Sequence, residues 1–297
     1  MTRILMAGVA VADFIFKVAE MPDRAEKYRA LDAFVTSGGN AANSAVAGAR
    51  MGAEVLLAAR LGDDPVGDII LSKLNAHGVD TRLVHRFAAG RSSFSSIYID
   101  AEGERQIMNF RGSGLGEDAS WLEFDGHFDA VLADNRWPPI TLRAIAMAQS
   151  AARPSIIDAE APFDPASVKG ATHVAFSAQG FADFAGPGEI SPLLPSAARQ
   201  LGTWVAVTDG ANGTWHVDGD EVVHTPAFKV DVVDTLGAGD TWHATLALYL
   251  AEGASEADAV RQANAAGALK CTRTGGVDGA PTRREIEQFI KEAERCN

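Results

Sequence analysis

The chain predicts an α/β fold in which a parallel sheet is covered by helices on both faces, and three observations carry that expectation. Short β-branched or apolar runs alternate with amphipathic helical runs from one end of the chain to the other. The 297 residues can bury a large core and lie a little above the usual single-domain size, so one α/β domain with an appendage is expected. The hydrophobic fraction of 47% is enough to pack that core.

In chain order, Ile4–Val11, Val55–Leu61, Ala130–Ala133, Ser155–Ile157, His173–Phe176 and Trp204–Thr208 read as strands. Between and after them, Pro65–His77, Ile140–Ala151 and Ser255–Lys270 read as helices. Two regions break the pattern, Phe14–Thr36 and Arg91–Phe110. In the second, Ser95–Asp100 and Gln106–Phe110 alternate polar with apolar residues around Glu102-Gly103-Glu104, the pattern of a half-exposed β-hairpin. The chain has no internal repeat, low-complexity tract or long linker.

Composition excludes several partners. No run of eighteen apolar residues exists, and Met1-Thr2-Arg3-Ile4-Leu5-Met6 passes directly into a strand without the regions of a signal peptide, so a cytoplasmic protein with no membrane partner is expected. Cys271 and Cys296 have no spacing suited to a metal or a disulfide framework, and both read as structurally incidental. With 26 basic against 39 acidic residues the net charge is -13, which argues against nucleic acid or an anionic membrane. An anionic substrate would therefore need its own cationic pocket.

The chemistry is concentrated in Asp234-Thr235-Leu236-Gly237-Ala238-Gly239-Asp240, a small-residue turn whose last carboxylate opens the apolar helix Thr241–Leu250. Gly237 and Gly239 let the backbone turn tightly and aim several N–H groups at one point, where the helix dipole also favours an anion such as a phosphate. Asp240 beside that phosphate could take a proton from an attacking hydroxyl while the N–H groups hold the transferred group. The alternative is an ordinary Gly-rich loop capped by Asp. A second glycine motif, Ser37-Gly38-Gly39-Asn40-Ala41-Ala42-Asn43, runs into the Ala-rich helical stretch Ser44–Met51, and two such loops suggest two ligands.

The two motifs, in that order and separated by about two hundred residues, together with Asp13 after the first strand, resemble the signatures of the ribokinase-like (PfkB) carbohydrate kinase family over essentially the full length. The resemblance implies a three-layer α/β/α sandwich with a mainly parallel central sheet and a small β-sheet lid. It implies one kinase domain over residues 1–297, with lid inserts at about 14–36 and 91–112 that often pair with a second subunit as a homodimer. A lid would exclude water and limit hydrolysis of ATP. The implied cofactors are ATP and Mg²⁺, with K⁺ in many relatives. Residue by residue, it implies Asp240 as base, with Gly237, Ala238 and Gly239 in the anion hole. Asp13, Gly38, Gly39 and Asn43 would form the polyol pocket, and Thr208, Gly210 and Gly213 the nucleotide-side loop. Asn264 would line the adenine pocket, with a helix-surface amide as the alternative. Asp234 would be part of a monovalent cation site shared between loops 234–236 and 273–276.

Residues just beyond the C-terminal ends of strands carry most weight in an open α/β sheet, and Asp13, Arg136 and Asp209 are expected there. Lys27, Asn109 and Arg136 could meet at one mouth and clamp a terminal phosphate, sulfonate or carboxylate, Arg as a planar fork and Lys as a compact charge. Within the family the likeness is greatest to kinases of 6-deoxy-6-sulfofructose, carried by Lys27-Tyr28, Asn109, Ala133–Trp137, Ala175-Phe176-Ser177, Pro226–Asp234 and Ala268–Arg273. The alternative is that Lys27 and Arg136 are solvated or form ordinary ion pairs. Arg111 could equally hold a neutral ketose in a fructokinase-like or ketohexokinase-like site. A nucleoside kinase would prefer an apolar base pocket near the lid, and a sugar-sensing module would have no need of Asp240. Two departures stand out: Ser177-Ala178-Gln179-Gly180 replaces an Asn-x-x-Glu segment that helps place magnesium, so Mg²⁺ would be held largely by ATP and water. Trp242 and Ala244 stand where relatives more often have Phe and Gly, and His243 reads as helix wall rather than catalyst.

Overall fold

The computed structural model describes residues 1–296 and contains two sheets. The larger has nine strands in the spatial order β13-β12-β11-β10-β9-β8-β1-β4-β5. These are β1 (Arg3–Ala7), β4 (Glu54–Gly62), β5 (Asp80–Phe87), β8 (Ala130–Asp134), β9 (Ser155–Ala159), β10 (His173–Ser177), β11 (Trp204–Thr208), β12 (Thr214–Asp218) and β13 (Glu221–Thr225). Every neighbouring pair from β11 to β5 is parallel, and the β12–β13 ribbon adds two antiparallel partners at one edge. Side chains of a strand alternate between faces, and here both faces are buried. Ile4 and Met6 of β1 enter one core while Leu5 and Ala7 enter the other, and Ala130 and Leu132 of β8 are likewise separated from Val131 and Ala133.

Helices cover each face. On one lie α1 (Asn40–Arg50), α2 (Pro65–Ala76), α6 (Ala238–Ala251), α7 (Glu256–Cys271) and α8 (Arg283–Cys296); on the other lie α3 (Pro138–Ser150), α4 (Ala178–Ala185) and α5 (Ile190–Leu201). Their starts are encoded locally. Asp64 accepts from Gly67 N at 2.8 Å ahead of Pro65, and Ser255 accepts from Asp258 N at 3.1 Å. Among the described residues no helix is long and apolar enough to cross a membrane. Cys271 is a free, half-buried thiol, and the side chain of Cys296 lies outside the described part.

The smaller sheet has the order β3-β2-β6-β7, from β2 (Val11–Lys17), β3 (Asp32–Gly38), β6 (Phe94–Ile99) and β7 (Arg105–Phe110). The two irregular regions of the sequence are thus two antiparallel ribbons joined by parallel pairing of β2 with β6. Two expectations are corrected. The run Ile4–Val11 is not one strand, because the chain leaves the large sheet at Gly8, where Gly8 N donates to Ala58 O (3.0 Å) and Val9 N to Asp134 Oδ2 (2.8 Å), and enters the small sheet at Val11. Asp13 therefore belongs to β2 and does not follow a strand of the large sheet. The helix expected from Thr241 begins three residues earlier, at Ala238, so Asp240 lies inside its first turn.

Candidate active site

Gly237 caps α6 with φ 77°, a left-handed conformation that suits glycine, and a Cβ there would stand 2.7 Å from Val277 Cγ1. The start of a helix leaves its first N–H groups without intrahelical acceptors, and those of Gly239 and Asp240 have no backbone partner. Gly239 faces open space: a Cβ added there meets nothing within 4 Å. An anion can therefore approach the positive end of α6 directly.

The Asp240 carboxylate, partly buried in the same turn, accepts from Asn43 Nδ2 at 3.0 Å, while Ser44 Oγ donates to the Asp240 carbonyl at 3.2 Å. The two glycine motifs thus meet. Burial pushes the Asp240 carboxyl well above the usual range, helped by the charges of Asp158, Glu160 and Asp134 and opposed by the Asn43 hydrogen bond.

Those three acidic neighbours stand at or just past the C-terminal ends of β8 and β9, where open α/β sheets place ligands. Asp134 is buried and accepts from Val9 N (2.8 Å), Ala41 N (3.2 Å) and Arg136 N (3.0 Å); burial dominates and pushes its carboxyl up to about 7. Asp158, also buried and raised chiefly by burial, accepts from Asn40 Nδ2 at 2.8 Å and lies 3.5 Å from His243 Nε2. His243 is anchored through Nδ1 to Gly239 O at 2.8 Å, behind Asp158, as a helix-wall residue. Asp158, Glu160 and Asn40 were not singled out from sequence. A carboxylate closing the apolar run Ser155-Ile156-Ile157 is the signal that marks Asp158, and the strand assigned from sequence stopped one residue short of it.

The small sheet supplies a polar row. Register places Thr36, Asp13, Ser95 and Asn109 side by side across its four strands on one face. The Asp13 carboxyl is raised by burial, against a hydrogen bond from Ser95, and Asn109 Nδ2 donates to Ser95 Oγ at 3.1 Å. Gly38 lets the carboxylate sit against the backbone, since a Cβ there would lie 2.0 Å from Asp13 Oδ2 and displace it. Gly39 follows at φ 87° with Val9 O 2.6 Å from where its Cβ would be. The structure brings Asp13, Gly38, Gly39, Asn43 and Asp240 along one continuous path.

The cationic residues are placed differently. Lys27, between β2 and β3, and Arg111, after β7, are exposed. Arg136 forms a close ion pair with Glu160 and donates to Ala161 O at 2.7 Å, so its fork is engaged within the protein.

On the other side of α6, Thr208 ends β11 with Oγ1 donating to Phe176 O (3.3 Å), and Asp209 N donates to Gly213 O (2.8 Å) to close the turn containing Gly210. Asn264 is not a surface amide but an internal brace. It is 6% exposed; its Oδ1 accepts from Thr214 Oγ1 (2.7 Å) and Trp242 Nε1 (2.8 Å), and its Nδ2 donates to Thr225 O (3.0 Å) and Pro226 O (3.3 Å). Thr225 O lies 2.3 Å from a Cβ built on Gly213, so Asn264 supports the turn from below. Ser177 and Gly180 are engaged as the N-cap of α4, with Gly180 N donating to Ser177 Oγ at 3.1 Å. Among the described residues no group of three or more His, Cys, Asp or Glu side chains is arranged to hold a metal ion. Asp234 is held by the N–H groups of Leu236 (2.9 Å) and Gly276 (3.4 Å), by Arg105 of β7 (3.2 Å) and by Lys270 (3.5 Å).

Comparison with known proteins agrees with this geometry. A family model described as pfkB family carbohydrate kinase matches residues 1–283. The chain is 30% identical to ribokinase of Bacillus subtilis over 98% of this chain and 100% of that one, and 31% identical to an ATP-dependent ribose-1-phosphate kinase of Halopiger xanaduensis over 98% and 99%. A solved ribokinase candidate from Agrobacterium tumefaciens superimposes with a TM-score of 0.90 at 34% identity, covering 99% of each chain.

Proposed function

The chain belongs to the pfkB family of ATP-dependent carbohydrate kinases, and on that premise we propose that it transfers the γ-phosphoryl group of ATP to O1 of 6-deoxy-6-sulfofructose. The observation that carries the kinase reading is the Asp240 carboxylate set at the open N-terminus of α6 and held by Asn43 at 3.0 Å. Asp240 accepts the proton of the attacking primary hydroxyl as the new O–P bond forms and the bond to the leaving β-phosphate oxygen breaks. The N–H groups of Gly237, Gly239 and Asp240 hold the developing charge, aided by the helix dipole, while that of Ala238 donates to Thr235 O at 3.2 Å. Asn43 orients the base, and Thr208, Gly210 and Gly213 flank the nucleotide. Bound Mg·ATP supplies the phosphoryl group and neutralises its charge.

The polar row headed by Asp13 receives the sugar hydroxyls, Gly38 and Gly39 allow their close approach, and Lys27, Asn109 and Arg136 face the anionic tail. One kinase domain then carries two lid inserts. Leu31 (74% exposed), Ile107 (60%) and Met108 (74%) support a homodimer formed through that lid.

The Arg136–Glu160 ion pair favours a second reading, a neutral ketose or pentose with Arg111 at the site mouth. Steady-state ADP release with Mg·ATP over concentration series of 6-deoxy-6-sulfofructose, fructose and ribose separates the two. A kcat/KM ratio of about a hundredfold for the sulfonated sugar, roughly 2.7 kcal/mol, with Arg136→Ala raising its KM far more than that of fructose, supports the clamp. Comparable turnover of a neutral sugar removes the sulfonate reading and keeps the kinase.

A further inference from the structure

Lys270, in the last turn of α7, is the one lysine among the described residues whose side chain is fully buried, at 0% exposure. Its ammonium donates to Asp234 O at 2.8 Å and to Arg273 O at 3.1 Å, and lies 3.5 Å from Asp234 Oδ2. An ammonium has three donors in a compact point charge; here two carbonyl oxygens receive two of them and the Asp234 carboxylate stands by as counter-charge. The oxygens come from two segments, the loop that leads into α6 and the loop that leaves α7. Further contacts bind the same segments together: Val233 N and Asp234 N donate to Cys271 O (2.8 and 3.1 Å), Gly276 N donates to Asp234 Oδ2 (3.4 Å), and Val277 packs against Gly237. Burying a charge is costly unless it is paired and hydrogen-bonded, so an internal ammonium that is both paired and hydrogen-bonded fixes the relative position of the segments it joins.

A bare monovalent cation uses the same ligands, namely carbonyl and carboxylate oxygens converging from two loops. At this place the Asp234 and Arg273 carbonyls, which the expected metal site at Asp234 would use, already accept from Lys270 Nζ. We propose that Lys270 is a positioning residue acting as a built-in cation: it replaces a monovalent metal ion between the two loops, sets the Gly237–Asp240 turn, and makes phosphoryl transfer independent of added K⁺. Asp234, the counter-charge, passes this positioning to the turn through its hydrogen bond to Leu236 N at 2.9 Å. The activity side of the inference rests on the kinase reading above; its structural side does not.

The test uses the full chain dialysed into buffer whose sole monovalent cation is tetramethylammonium, with turnover and thermal unfolding followed as KCl, NH₄Cl or LiCl is added. Wild-type kcat and Tm should stay within about twofold and about 2 °C, respectively, in every salt. Lys270→Ala, which empties the cavity but keeps its carbonyls, should lose at least about tenfold in kcat, and K⁺ or NH₄⁺ but not Li⁺ should restore both turnover and Tm. Lys270→Met, which fills the cavity with an uncharged chain, should lose activity without rescue. Severalfold stimulation of the wild type by K⁺ overturns the proposal, as does a Lys270→Ala protein that stays inactive or unfolded at every KCl concentration. If no sugar is phosphorylated, the kinase reading fails, while selective K⁺ stabilisation of Lys270→Ala, read by Tm, still decides the cation.

Discussion

Two glycine-to-alanine substitutions, one in each motif, should produce opposite signatures. At Gly38 an added Cβ would lie 2.0 Å from Asp13 Oδ2 and 2.8 Å from Val11 Cγ2, whereas real Cβ contacts essentially never fall below 3.0 Å, so the carboxylate must retreat by at least 1.0 Å. The backbone at Gly38 is not left-handed, so strain does not add to the clash. A displacement of ~1 Å in a substrate-holding group costs about a hundredfold, near 2.7 kcal/mol. Loss of the Ser95 hydrogen bond to Asp13 removes about 1 kcal/mol of stability, which lowers Tm by roughly 1.5–2 °C in a chain of this size. Gly38→Ala should therefore reduce kcat/KM for the sugar by about 30- to 100-fold while KM for ATP changes by less than about twofold. At Gly239 nothing lies within 4 Å of the added Cβ, and alanine is the better helix former by about 0.5–1 kcal/mol, so Tm should hold or rise. The methyl group nonetheless occupies the anion's approach, and kcat should fall. Steady-state kinetics in both substrates and thermal unfolding of the two variants read all four quantities. A Gly38→Ala enzyme with unchanged sugar kinetics would remove Asp13 from the sugar site, and a destabilised Gly239→Ala would refute the open mouth at α6.

Asn43 holds the Asp240 carboxyl down against burial and its acidic neighbours, and the base must be ionised to act. Asn43→Ala should therefore move the acidic limb of the kcat–pH profile to higher pH, and an unmoved limb would mean that Asp240 does not set it. Asn264→Ala strands the buried Trp242 Nε1–H and the Thr225 and Pro226 carbonyls, which should cost about 2–4 kcal/mol and lower Tm by roughly 3–6 °C. KM for ATP should rise with it as the Gly213 turn loosens, and KM for the sugar should not; an unchanged Tm would contradict the brace.

The parallel core of the fold was legible because strands buried on both faces read as apolar runs, and β8 to β11 follow those runs closely. Edge elements were less so. β5 carries Asp80, Arg82, His85 and Arg86, and its charges resemble a loop until β4 pairs with it. The β12–β13 ribbon turns at Asp218-Gly219-Asp220, a local signal overshadowed by the Gly-rich turn before it. Gly8 divides an unbroken apolar run between two sheets, a change that only the Asp134 carboxylate, far away in sequence, explains. In the site, the two motifs marked Asn43 and Asp240 separately, and only the fold brings them to 3.0 Å; motif spacing did not pair them. It was silent on Asp158, Glu160 and Lys270, whose significance lies in long-range neighbours. Asn264 shows the converse: its position was marked by resemblance, while its four hydrogen bonds as a buried brace follow only from the fold.

The most direct measurement is ADP release by Asp240→Asn against the wild type, with ATP affinity and Tm determined on the same preparations. The substitution keeps the shape of the side chain and removes the proton acceptor. The account predicts a loss of about 10²–10⁴ in kcat with ATP affinity and Tm nearly unchanged. A variant that retains near wild-type kcat would take Asp240, and with it the proposed chemistry at the start of α6, out of the mechanism.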